Sequence, residues 1–249
     1  MAILLVLIGA AAGAIIGSFV ATVTIRWPQG RSAMGGRSAC DGCGVTLVAR
    51  DLVPLASWIL LRGRCRRCGD RIDPRHPAIE LAAAVIGASA LAVAPGWSGV
   101  AGCVFGWTLL LLLVLDAEHF WLPDRLTLPL AAAGLAAAGL GLEPSFESRA
   151  IGLVAGWGGL TLVAAGYRLW RGRQGLGGGD PKLFGAIGAW LGWAALPAVL
   201  FGAAMTGLVV VALRLIRGRA VTATDRLPFG VLLALAAWPA WLVISYWTP

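Results

Sequence analysis

Eight stretches of this chain run for about twenty residues with almost no charge, which is what a helix needs to cross a bilayer. They cover roughly 2–25, 78–96, 98–116, 125–142, 150–170, 183–198, 199–216 and 228–247. In hydrocarbon the backbone must satisfy its own polar groups, so such runs fold as helices. The prediction is an all-α polytopic membrane protein with about eight transmembrane helices. Composition agrees: charged residues make up 13% of the chain, about half the share of a soluble domain. The sixth and seventh stretches are divided near Pro197. The first lacks a basic leading segment and a small-residue cleavage site, so it is read as a retained helix. A repeat of Gly9, Gly13 and Gly17 along it suits close packing on a neighbouring helix.

The chain carries 20 Lys and Arg against 12 Asp and Glu. Topology accounts for the excess, so nucleic-acid binding is not invoked. With loop 26–77 in the cytoplasm and alternation from there, ten arginines from Arg26 to Arg75 lie inside. Arg125 follows, then Arg168, Arg171, Arg173 and Lys182, then Arg214, Arg217, Arg219 and Arg226. Arg149 is the single exception, a strong positive-inside bias. The basic rims would attract anionic lipid head groups.

The chain then reads as a first helix, 1–25, a cytoplasmic loop domain, 26–77, and a membrane domain, 78–249. The loop contains Cys40-Asp41-Gly42-Cys43 and Cys65-Arg66-Arg67-Cys68. Two C-x2-C pairs at this separation match a four-thiolate zinc site. Each pair sets two sulfurs on one side of a turn, and together they close a tetrahedron. Gly42, Gly44 and Gly69 allow the turns. Disulfides are rare in the cytoplasm, and no thioredoxin-like pattern surrounds the pairs. A zinc-ribbon-like loop with structural zinc on Cys40, Cys43, Cys65 and Cys68 is expected. Cys103 reads as a small buried apolar residue, His76 as interfacial, and Glu80 as a polar contact near a helix end.

Two carboxylates stand where an apolar run meets the interface. Asp116 ends the run LLLLLVLD. Asp180 ends GLGGGD and precedes Pro181, which suits a first helical turn. Ionisable residues at such positions are costly and usually have a partner or a task. Asp124, after Pro123, reads as a helix cap. Trp27, Phe120 and Trp121 read as interface anchors, and Leu227-Pro228-Phe229-Gly230 as a turn that dips into the membrane. No Ser or Cys constellation competes as a nucleophile, and the glycine run lacks the strand and Lys-Ser/Thr of a phosphate loop. Two carboxylates on one membrane face can share a proton and activate water as an aspartic protease does. The glycines before Asp180 would let an extended substrate backbone approach. Two other classes compete: an ion-coupled transporter, against which no inverted halves are seen, and a non-catalytic assembly factor for pili or secretion.

The segments GSFVATVTIRWP, PLASWILLRGRCRRC, RHPAIEL, LDAEHFWLPDRLTLP, GLGGGDPKLFGAIGAWLGW and LPFG, in this order, cover most of the chain. With the two C-x2-C pairs they resemble prepilin peptidases (type IV leader peptidases), a group of GxGD-type intramembrane aspartyl proteases. The resemblance implies Asp116 and Asp180 as catalytic aspartates, with Gly177, Gly179 and Lys182 as active-site support. It implies a prepilin or pseudopilin substrate with a short basic leader, cut at the cytoplasmic face of the bacterial inner membrane. Many members also methylate the new N-terminus with S-adenosylmethionine. This chain departs from the family pattern at Val20 and Ala21, where Leu and Asn are usual. It departs again at Asp41, in place of Pro, and at Arg50 and Leu52, in place of Trp and Asn. These departures lie in and beside the loop and bear on methyl transfer; they leave both aspartates intact.

Overall fold

The computed structural model describes residues 2–40, 42–218, 222 and 226–247; Asp41 and Arg219, used above, lie outside the described residues. Nine helices are seen among the described residues: α1 Ala2–Arg26, α2 Ala56–Leu60, α3 Arg75–Val93, α4 Trp97–His119, α5 Asp124–Gly139, α6 Phe146–Arg171, α7 Asp180–Leu191, α8 Leu196–Ile216 and α9 Phe229–Trp247. Every apolar stretch of the sequence forms a helix. Among the described residues six segments are long and apolar enough to cross a membrane: Ala2–Gln29, Arg75–Val93, Trp97–His119, Phe146–Arg171, Trp193–Ile216 and Phe229–Trp247. The protein is a multi-pass membrane protein; six of the eight expected spans are candidates by length and apolarity, and the count of eight is not confirmed. The two that fall short have a physical cause. α5 has 16 residues and α7 has 12, and 12 residues rise about 18 Å against a hydrocarbon core of about 30 Å. α7 is bounded by Gly179 before Asp180 and by Gly192, whose φ of 77° stops the helix. The boundary therefore lies at Gly192, and Pro197 sits inside the first turn of α8, where its missing N–H costs nothing.

The chain divides into two compact units, residues 1–111 and 112–249. In the first, α1 lies on α3 along the repeat Gly9, Gly13 and Gly17. A Cβ at Gly9 or Gly13 would strike the α3 backbone at Gly87 or Ala83, and one at Gly17 would lie 2.6 Å from Glu80 Cα. The Trp107 indole N–H donates to the Ala83 carbonyl at 2.9 Å, and Cys103 is buried, as the sequence suggests.

In the second unit α7 is the centre: eleven of its twelve residues are buried. Gly152 of α6 meets Gly188 of α7, and Gly134 of α5 meets Ala189. The far end of α7 is held by Arg149, which is only 2% exposed. Its Nε donates to the Pro144 carbonyl at 2.7 Å. Nη1 donates to Gly134, Ala189 and Trp190 carbonyls at 2.8, 3.1 and 3.1 Å. Nη2 donates to Leu142 and Glu143 carbonyls at 3.2 and 2.7 Å. Carbonyls in the last turn of a helix lack intrahelical donors, and a cation there also suits the helix dipole. The residue that stands alone in the charge count is thus a buried clamp on α5, α7 and the loop between α5 and α6.

Candidate functional site

Asp116 lies in the last turn of α4 and is 4% exposed; Asp180 is the first residue of α7 and is 5% exposed. Asp116 Oδ2 accepts from the Val231 N–H at 3.0 Å. Asp180 Oδ2 accepts from the Gly177 N–H at 2.8 Å, so the glycine loop folds back on the carboxylate it precedes. Gly230 packs against the Asp116 carboxylate, and its backbone and the Asp116 charge both act on Asp180. Asp116 and Asp180 therefore converge on the first turn of α9. Free N–H groups at a helix start favour negative charge, and here they orient two buried carboxylates that would otherwise be costly.

The glycines have unequal roles. A Cβ on Gly179 would lie 2.6 Å from Leu122 Cβ, and one on Gly177 would lie 3.0 Å from Asp180 Oδ2, while Gly178 has open space. A Cβ on Gly230 would sit 2.8 Å from Asp116 Oδ2 and 2.9 Å from Leu122 Cδ1. Gly230 is the residue that sequence reasoning missed. It was visible only as part of a turn, and its contact with Asp116 crosses more than a hundred positions. Lys182 Nζ donates to Asp124 at 2.6 and 2.8 Å, tying the starts of α7 and α5. Asp124 begins α5 without acting as a side-chain cap.

These distances yield an expected result. Gly230→Ala would force the Asp116 carboxylate off its N–H donors. Displacements of about 1 Å at reacting groups can cost about a hundredfold. Gly230→Ala should lower the turnover of the site by about tenfold to a hundredfold, and Gly178→Ala should leave it unchanged. Turnover measured on equal amounts of folded protein checks both.

In the first unit, each C-x2-C pair closes a small knuckle. The Cys40 N–H bonds the Val45 carbonyl and the Gly44 N–H returns to Cys40; the Cys65 N–H bonds the Asp70 carbonyl and the Gly69 N–H returns to Cys65. Gly44 and Gly69 both sit at positive φ, 68° and 74°, where a side chain would be strained. The four Sγ atoms lie within 4.8 Å of one another. Cys40 and Cys68 are 3.7 Å apart, close to the tetrahedron edge of roughly 3.8 Å that a Zn–S bond of about 2.3 Å implies. The Cys68 and Arg67 N–H groups lower the Cys65 thiol to about 7. A divalent cation fits this donor set.

Beside the knuckles, a cavity of about 500 Å³ is lined by Thr22, Arg50, Asp51, Trp58, Arg71 and Glu80 among others. Asp51 accepts a forked bond from Arg66 at 3.0 and 2.8 Å. Arg75 grips Asp73 at 2.8 and 2.6 Å and holds its carboxyl below the usual range.

Two family models match the chain. One describes the bacterial peptidase A24 N-terminal domain and matches residues 11–94. The other describes the type IV leader peptidase family and matches residues 103–212. A curated protein of Aeromonas hydrophila is 41% identical over 208 residues, covering 83% of this chain and 71% of the relative. The chain belongs to the type IV leader peptidase family. A Burkholderia pseudomallei relative is 45% identical over 80% of this chain and 64% of its own length. A Neisseria gonorrhoeae relative is 35% identical over 84% of this chain and 74% of its own length. All three are named prepilin leader peptidase/N-methyltransferase. No solved structure matches. As a leader peptidase, the chain carries all four knuckle cysteines in the first matched segment and both aspartates in the second; Gly230 lies beyond both.

Proposed function

We propose that this chain is a membrane aspartic endopeptidase that removes the short basic leader of type IV prepilins or pseudopilins, with Asp116 and Asp180 as its catalytic pair. The observation that carries the reading is the convergence of these two buried carboxylates on the first turn of α9. Two carboxyls so placed share one proton. The ionised member takes a proton from water as it attacks the scissile carbonyl. The protonated member donates to the carbonyl oxygen, and a proton then reaches the leaving amine. Lys182 and Asp124 fix the mouth of α7. The ten arginines of loop 26–77 support a cytoplasmic position for that loop, and the proposed cleavage is at the cytoplasmic face of the bacterial inner membrane.

The loop would hold one structural zinc through Cys40, Cys43, Cys65 and Cys68. Purified wild type should carry about one zinc per chain, and Cys40→Ser combined with Cys65→Ser should lose it. Because binding energy of a structural metal is folding energy, the double variant should yield less folded protein. Metal analysis and yield of monodisperse protein check this; no zinc in the wild type would overturn it.

The relatives' second named activity is supported here by the cavity. S-adenosylmethionine supplies a methyl group on a sulfonium when bound. The Trp58 ring offers a flat apolar face, and its buried Nε1 has no hydrogen-bond partner. Arg50 and Arg71 offer donors for a carboxylate. These residues suit a charged nucleoside, and the mass of a processed pilin tests the reading: a gain of one methyl group supports it, and an unmodified mass contradicts it.

A further inference from the structure

We propose that Glu80 is the base of the methyl-transfer reaction, its Oε1 taking the proton from the newly exposed N-terminal amine. The inference rests on the methyl-transfer reading above. Among the described residues of 1–111, Glu80 is the one buried carboxylate; it is 6% exposed. It lines the cavity, and the peptidase chemistry makes no use of it.

The other acids at the cavity are engaged. Asp51 holds Arg66 and Asp73 holds Arg75, while Asp70 accepts from the Arg71 N–H. Glu80 has no cationic partner among the described residues. Its Oε2 accepts from the Leu55 N–H at 2.8 Å, which leaves Oε1 uncommitted. A buried carboxylate without a countercharge is expensive, and a cationic ligand group would supply what the fold omits. An alkyl ammonium of modest size, on an extended peptide N-terminus, has the right charge.

The carboxylate is also held in place. Leu55 adopts φ 60° and ψ −51°, a conformation rare for a leucine. Strain of this kind persists where surrounding structure fixes it, and it concentrates at functional sites. On the other side, Gly17 of α1 lies directly against the Glu80 backbone. A base oriented by a backbone donor and seated on packed helices is preorganised.

The step balances as follows. The N-terminal ammonium gives one proton to Glu80 Oε1. The freed nitrogen lone pair forms a bond to the methyl carbon of a sulfonium donor, and the electron pair of the broken C–S bond stays on sulfur. The product is a protonated secondary amine, and Glu80 returns its proton to solvent.

Glu80→Gln tests this, because glutamine keeps an oxygen acceptor for the Leu55 N–H and removes the charge. The full-length variant is incubated with a prepilin and S-adenosylmethionine, and the products are weighed by mass spectrometry. Cleavage should proceed at the wild-type rate. Methylation of the cleaved product should fall about a hundredfold or more, the usual worth of a positioned base. Binding of S-adenosylmethionine, measured by calorimetry, should change by less than about threefold. Methylation by Glu80→Gln at the wild-type rate would overturn the proposal while leaving methyl transfer intact. Unmethylated product from the wild type would overturn both. If Glu80→Gln loses zinc or cleavage, it and Glu80→Asp are both assayed on pilin already cleaved by the wild type: methylation by Glu80→Asp should exceed that by Glu80→Gln, and equality would overturn the role.

Discussion

Asp116→Asn and Asp180→Asn are each expected to lower leader cleavage by about a thousandfold or more, with normal membrane insertion and normal yield. An asparagine keeps the size of the side chain and an oxygen that can accept from Val231 or Gly177. It cannot take or give the proton that the reaction moves. General acid–base groups contribute about 10²–10⁴-fold, and a dyad fails when either member is removed. Asp124→Asn should be far milder. Its carboxylate binds Lys182 and is partly exposed, and such pairs contribute about 0–1 kcal/mol. Appreciable cleavage by either of the first two variants would remove that residue from the pair; the assay is product formation in detergent on protein checked for folding.

The second large effect is expected at Arg149. Arg149→Met should destabilise the membrane domain by at least about 3 kcal/mol, because each buried acceptor left without a donor costs about 1–3 kcal/mol. Six carbonyls lose their donor together, two of them in the last turn of α7. Arg149→Lys should recover only part of the loss, since an ammonium cannot reproduce the planar fork. Thermal unfolding of the purified protein in detergent measures both. A midpoint within about 2 °C of the wild type for Arg149→Met would show that the clamp contributes little.

Much of this was legible in the sequence because the signals are local. Hydropathy found every long helix, and the two C-x2-C pairs marked a cluster whose sulfurs the fold does bring together. Asp116 and Asp180 stood out because carboxylates at the ends of apolar runs are costly. What failed was length. A twenty-residue window reads apolarity and is blind to Gly192, whose backbone conformation ends α7 early. What escaped was anything set by distant packing. Gly230 looked like one residue of a turn, yet its missing Cβ makes room for the Asp116 carboxylate. Arg149 carried no signal beyond its charge, and charge counting placed it outside the membrane, where the fold instead surrounds it with carbonyls. Glu80 read as a helix-end polar contact; its value lies in being buried without a cationic partner, where Asp51 and Asp73 hold arginines.

The most direct test of the central claim is to incubate purified, zinc-replete wild-type protein in detergent with a full-length prepilin and weigh the products. The account predicts a shortened pilin, cut between the basic leader and the hydrophobic segment, in the wild type and in none of the Asp116→Asn or Asp180→Asn samples. A leader still attached after incubation with folded wild-type protein would contradict it.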